Sequence, residues 1–138
     1  MMRVISLLLL LTAPLGAEAH RFAPSALDVR ALNNGETSVV WKTPAQATSN
    51  VPMLPIKPDD CEVLSETPWF PEGTGKVLRQ QWACAGESLE GLTLSVSGLA
   101  ANQSSAVVSV RPHPDVFFQE VLLSLIHIPS PRDTSSSR

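Results

Sequence analysis

The chain has 138 residues, enough for one domain, with a formal net charge of −3 and a pI near 5.5. This slightly acidic balance excludes the basic surface that nucleic acids or anionic membranes attract, so we expect no nucleic-acid partner. Twelve prolines, no tyrosine and 17% charged residues predict short strands joined by stiff loops and not long surface helices.

The N-terminus has the three parts of a secretory signal peptide. Residues 1–3 form a short basic segment, residues 4–12 form an apolar segment, and Ala17-Glu18-Ala19 is a small-residue cleavage site. A spanning helix needs about 20 apolar residues, which makes the alternative, an N-terminal membrane anchor, the weaker interpretation. Cleavage after residue 19 would leave His20 as the first mature residue of an exported, periplasmic protein.

Two cysteines, Cys61 and Cys84, follow the cleavage site. In an oxidising compartment an even number of cysteines in a small domain predicts a disulfide. The chain-entropy model gives such a crosslink roughly 3 kcal/mol of stabilisation. A metal pair is the competing interpretation, although neither cysteine has a second Cys or His at ligand spacing.

A β-hairpin is predicted first in the mature chain. Residues 25–32 alternate, with Leu27 and Val29 on one face, and residues 36–42 alternate with Val39 and Trp41 on one face. The Asn33-Asn34-Gly35 turn between them tolerates positive φ. Four prolines then interrupt residues 43–60, which we expect to form an extended crossing loop with one edge segment near 51–56.

Further strands are expected over residues 61–66, 76–84, 92–96, 106–110 and 116–121, with a turn-rich loop at 68–73. Short strands with frequent turn signals predict a small antiparallel β-sandwich of Ig-like or Greek-key type over residues 20–122. Trp41 and Trp82 fall within strand patterns, so both should fill the core.

Residues 123–138 do not fit this pattern. Residues 123–128 can be back-translated to the transposase end sequence used in some sequencing libraries. Residues 129–133 follow from the adapter sequence after it when one base is dropped. We therefore predict a non-native segment that replaces the continuation of the gene. The alternative is a natural Ser/Pro-rich disordered tail. On either interpretation His127 carries no functional argument.

Two histidines remain as candidate metal ligands. The α-amine and ring of a mature N-terminal His20 could chelate copper, and His113 could complete that site. The simpler interpretation is a frayed terminus and an exposed loop residue. Acidic residues Asp59, Asp60, Glu87 and Glu90 could hold a hard cation, but solvated loop charges are the favoured interpretation.

Trp69 and Phe70, in a proline-bounded loop, are predicted to be exposed and to contact a partner. No serine lies in a Gly-x-Ser-x-Gly motif, and no nucleophile has a recognisable base. We therefore predict no catalytic residues, no enzymatic activity and no cofactor, and no small-molecule substrate is identifiable.

Five short segments in order resemble the extracytoplasmic N-terminal region of HupE/UreJ-family membrane proteins. They are AHRFAPS at 19–25, LDVR at 27–30, VWKTP at 40–44, QWAC at 81–84 and GLTLSVSGL at 91–99. The resemblance covers about residues 20–111.

The resemblance implies a domain followed by a bundle of transmembrane helices in a nickel-handling hydrogenase or urease accessory protein. The family's metal-associated motifs lie in the membrane part and match nothing in this sequence, so no metal ligands carry over. We expect a binding or structural domain whose partner is the missing transmembrane portion of its own parent chain, which anchors it to the membrane. The alternatives are a free periplasmic copper-binding protein that uses His20, or a periplasmic protein-interaction module.

Overall fold

The structure is a computed structural model that describes residues 24–86 and 88–130. The predicted signal peptide, His20 and residues 131–138 lie outside this range, so the structure does not bear on them. The described residues form strands and no helix. The strands are β1 (Ser25–Ala31), β2 (Glu36–Pro44), β3 (Leu54–Ile56), β4 (Cys61–Glu66), β5 (Phe70–Glu72), β6 (Gly75–Cys84), β7 (Thr93–Ser97), β8 (Ala106–His113), β9 (Val116–Leu122) and β10 (Leu125–His127).

Two sheets pack face to face. The larger has the order β4-β6-β2-β1-β8-β9, with β5 also paired to β6, and the smaller has the order β10-β7-β3. This architecture confirms the predicted all-β sandwich. One pair differs from a purely antiparallel arrangement, because β1 and β8 are parallel, with Leu27 opposite Val108. Alternation along a strand determines its buried face but not its neighbour, so the sequence could not reveal this pairing.

The predicted hairpin of β1 and β2 is confirmed, with Val29 opposite Val39. Its turn uses the expected chemistry. Gly35 has a φ of 82°, its amide donates to the Leu32 carbonyl, and the Glu36 amide donates to Asn34 Oδ1. A residue without a Cβ adopts this φ without the steric penalty that other residues meet.

The core lies between the sheets and contains both predicted tryptophans. Trp41 and Trp82 are 0% and 1% exposed. Burial of a large apolar side chain contributes about 1.5–3 kcal/mol, so a cluster of this size provides the main driving force for folding. Other core members from both sheets are Leu27, Val29, Val39, Leu94, Val96, Val108, Val110, Leu122 and Ile126.

A buried asparagine fixes the crossing loop before β3. Asn102 Nδ2 donates to the carbonyls of Val51 and Gly98, both at 2.8 Å, and Asn102 Oδ1 accepts from the Ser49 amide at 3.1 Å. At Gly98 (φ 74°) a Cβ would collide with the Pro52 carbonyl oxygen. The loop therefore passes directly over the turn that follows β7.

The predicted loop at 68–73 contains a strand that the sequence did not indicate. β5 pairs with the first residues of β6, and Phe70 lies opposite Val77. β4 and β5 thus lie end to end along one edge of β6. Thr67 joins them, because its amide donates to the Arg79 carbonyl and its hydroxyl accepts from the Arg79 amide.

The start of the expected tail is also ordered. β10 pairs with β7, and Ile126 and Ile128 are 5% and 1% exposed. Strand pairing therefore extends into the segment for which a natural disordered tail was the alternative interpretation. The physical reason is that alternating apolar residues can pair with the open edge of β7 and face the core. The non-native origin of residues 123–138 stays a prediction, since it concerns the source DNA.

Candidate functional site

The predicted disulfide joins Cys61 and Cys84, which are direct neighbours across β4 and β6. Cys61 is fully buried, and the Ala85 amide donates to the Asp60 carbonyl at 2.7 Å beside the bridge. The crosslink therefore holds the edge strand β4 to its neighbour β6 in the larger sheet.

Trp69 and Phe70 do not form one patch. The Lys76 ammonium lies 4.8 Å from the Trp69 ring centroid, and the Arg79 guanidinium lies 5.3 Å from that of Phe70. Lys76 and Arg79 are three positions apart on β6, so their side chains project from opposite faces of the sheet. Trp69 is 38% exposed, and Phe70 is half-buried. Partner contact through both rings together stays a prediction that would need a partner wrapping around this edge.

The face of the larger sheet that points away from the smaller one is called here the outer face. At its β5–β6 corner the Lys42 ammonium donates to Glu72 Oε1 at 2.8 Å. This hydrogen bond and the charge of Lys42 lower the pKa of the Glu72 carboxyl from 4.5, with a smaller contribution from Arg79. Val77, opposite Lys42 in the β2–β6 pair, is 1% exposed, so an apolar side chain is buried next to these charged groups.

His113 lies at the end of β8 and is exposed. Its Nε2 is 3.5 Å from Glu90 Oε1 and 3.4 Å from Ser88 Oγ. His20 lies outside the described residues, so the candidate copper pair of His20 and His113 is not tested. Glu87 also lies outside the described residues. Within residues 24–86 and 88–130, no group of three or more His, Cys, Asp or Glu side chains is arranged to hold a metal ion.

The acidic pair Asp59 and Asp60 occupies the exposed turn before β4. The Cys61 amide, which follows this turn, donates to the Pro58 carbonyl at 3.0 Å. The geometry agrees with the favoured interpretation of the two carboxylates as solvated loop charges.

A cavity of about 360 Å³, which the sequence did not predict, lies at the other end of the outer face. Its lining includes Arg30, Leu32, Arg111, His113 and Pro114. Arg30 and Arg111 are direct partners in the parallel β1–β8 pair. They are far apart in sequence, and only this pairing, which periodicity cannot predict, brings them together.

Arg111 is held in an unusual way. Its guanidinium carbon lies 4.7 Å from the centroid of the Phe117 ring. Its Nε is buried and has no hydrogen-bond partner among the described residues. Buried polar groups in folded proteins nearly always have a partner, so this donor is a candidate contact for a ligand.

No protein-family model, curated protein or solved structure matches this chain. In the part of the chain that the structure describes, no helix is long and apolar enough to cross a membrane. Function must therefore be argued from the residues themselves: a crosslinked sandwich, a charged outer face and one arginine-lined cavity.

Proposed function

We propose that residues 20–122 are the extracytoplasmic binding or structural domain of a HupE/UreJ-like membrane protein, and that this chain is a fragment of it. One observation carries the proposal. Four of the five segments of the resemblance supply β1, β2, the end of β6 and β7, whose buried residues meet in one core. The similar segments thus coincide with the structural centre of a folded domain.

The disulfide supports an extracytoplasmic location. Such crosslinks persist in the periplasm and are rare in a reducing cytosol. Cys84 is the last residue of the QWAC segment, and its partner Cys61 lies on the adjacent edge strand. A domain of this kind would bind or support the membrane part of its own parent chain and would not catalyse a reaction.

The first test is to sequence the source DNA beyond the codon for Leu122. We expect the frame to continue into several apolar segments of about 20 residues each. A native stop codon after Arg138 would refute the proposal that the chain is a membrane-protein fragment. The preferred hypothesis would then be a free periplasmic protein that binds copper or interacts with another protein.

The second test concerns export and uses the whole chain expressed in a Gram-negative host. We expect the periplasmic fraction to contain protein that begins at His20 and has no alkylatable thiol before reduction. A variant with Leu8→Arg and Leu9→Arg should stay in the cytoplasm as the full-length precursor, because charges abolish the apolar region. Wild-type protein that stays in the cytoplasm with both thiols free would contradict export.

A further inference from the structure

We propose that the cavity beside Arg30 and Arg111 is a binding site for a small oxyanion, with a carboxylate or phosphate group held by the two guanidinium groups. The inference does not depend on the proposed function, because it uses only the geometry of this end of the sheet. It assigns a ligand to a place where the sequence analysis expected none.

The two arginines of the cavity are aligned side by side. Arg30 and Arg111 occupy directly opposed positions on adjacent strands, where like charges are destabilising. A shared anion would remove this repulsion and convert it into two charge-assisted interactions. The pairing is therefore costly in an empty site and favourable in an occupied one.

The positive charges of Arg30 and Arg111 are incompletely neutralised by nearby carboxylates. The nearest carboxylate to Arg30 is Asp28, at a marginal 3.9 Å, and both side chains are about half exposed. Glu90 contacts His113, another residue of the cavity lining, at 3.5 Å. No described carboxylate forms an ion pair with Arg111, which leaves the cavity with an excess of positive charge.

The Arg111 side chain is preorganised for a ligand. Stacking on Phe117 covers one face of the guanidinium and restricts its rotation, so the N–H groups at its edge remain for a ligand. The buried Nε–H has no partner among the described residues, and a buried donor without a hydrogen bond destabilises the fold. A planar fork of this kind matches the two oxygens of a carboxylate or phosphate.

The walls indicate the size and type of ligand. The cavity measures about 360 Å³, and Leu32 and Pro114 add apolar surface beside the charged groups. Small-ligand sites combine such apolar walls with a few convergent polar groups. Inorganic phosphate would fit the charged end, while a short dicarboxylate would also use the apolar wall.

The test is an NMR titration of the exported, disulfide-bonded chain labelled with ¹⁵N. Sodium phosphate and sodium succinate are added separately at constant ionic strength, and the Arg111 Nε–Hε signal is followed. We expect this signal to shift saturably with at least one of the two anions and not with sodium chloride. Comparison of phosphate with succinate identifies the preferred oxyanion. Absence of a saturable shift with both overturns the proposal.

Three variants make the test specific. Arg111→Lys keeps the charge but removes the fork, and it should weaken binding by about tenfold or more. Arg30→Gln alters a half-exposed side chain, so it should weaken binding by a similar factor without unfolding the domain. Arg79→Gln is the matched control, since it removes the same charge from the same face outside the cavity. It should change the affinity by less than about twofold.

For Arg111→Lys and Arg30→Gln, binding is followed through the backbone amides of residues 30–33 and 111–114. Equal losses in Arg30→Gln and Arg79→Gln would overturn the site in favour of non-specific attraction to the whole face. A further arm uses vesicles of phosphatidylglycerol with phosphatidylcholine as control. Arg111-dependent sedimentation with phosphatidylglycerol would identify a lipid phosphate as the source of the oxyanion.

Discussion

The indole Nε1 of Trp41 donates a hydrogen bond of 3.0 Å to the main-chain carbonyl of Met53. Trp41 belongs to β2 in the larger sheet, and Met53 directly precedes β3 in the smaller sheet. Both residues are buried, so this bond ties the two sheets together inside the core. It gives a reason why an indole, and not only a large apolar ring, occupies this position.

Replacement of Trp41 by Phe should therefore be costly. The change leaves the buried Met53 carbonyl without its donor and opens a small cavity, for a loss of about 2–4 kcal/mol in the free energy of unfolding. Trp82→Phe is the matched control. The Trp82 indole donates to the side chain of Gln80, which can turn to water, so its loss should be smaller. Urea denaturation measures both, and equal losses would show that volume alone matters.

Asn102 provides a second prediction about the crossing loop. Asn102→Asp replaces the Nδ2 donor by an oxygen that faces the Val51 and Gly98 carbonyls. The Val51 carbonyl loses this donor, while the Gly98 carbonyl keeps the Asn102 amide, and both face a carboxylate oxygen. We therefore expect a loss of about 1–3 kcal/mol in the free energy of unfolding. Asn33→Asp makes the same chemical change in an exposed turn and should alter stability by less than about 0.5 kcal/mol. A loss for Asn102→Asp no larger than that of the control would contradict the structural role.

The crosslink between Cys61 and Cys84 should stabilise the domain by roughly 3 kcal/mol. Two comparisons with the oxidised chain separate its effects. Reduction of the wild-type chain keeps both sulfur atoms and removes only the crosslink, whereas Cys61→Ala with Cys84→Ala also removes buried volume. We expect the double variant to be the less stable of the two in denaturant unfolding. A reduced chain as stable as the oxidised one would show that β4 stays in place without the bridge.

Glu72 predicts a pH dependence. Its pKa is lowered in the folded protein, so its ion pair with Lys42 stabilises the fold above pH 4.5, and this contribution is lost as the pH falls through the folded-state pKa. Lys42→Gln should raise the pKa of Glu72 towards 4.5, measured by a ¹³C carboxyl titration. Lys57→Gln, at an exposed position after β3, should leave it unchanged. A Glu72 pKa that does not move in Lys42→Gln would contradict the pairing.

Local patterns in the sequence predicted the parts of the fold that local chemistry decides. The β1–β2 hairpin and the core positions of Trp41 and Trp82 follow from alternation and turn residues alone. The parallel β1–β8 pair depends on the packing of segments that are distant in sequence. The same pairing places Arg30 opposite Arg111. The strand β5 was missed because Pro71 and the neighbouring turn residues are typical of a loop, although three residues pair with β6.

The last prediction concerns the segment from residue 123 onward. Ile126 and Ile128 are buried, so a chain that stops after Leu122 should lose about 3 kcal/mol or more of its free energy of unfolding. Ile128→Ser should reproduce part of that loss, while Ile56→Ser, at a position 48% exposed, should have little effect.

Such a loss would not establish that the segment is native, because the edge of β7 can accept any strand with suitably spaced apolar residues. Unchanged stability would instead mean that β10 contributes nothing to the fold, as a foreign segment predicts. In a longer parent protein the natural continuation would then pair with this edge. Comparison of the truncated chain with the resequenced gene product would reveal whether that continuation restores the missing stability.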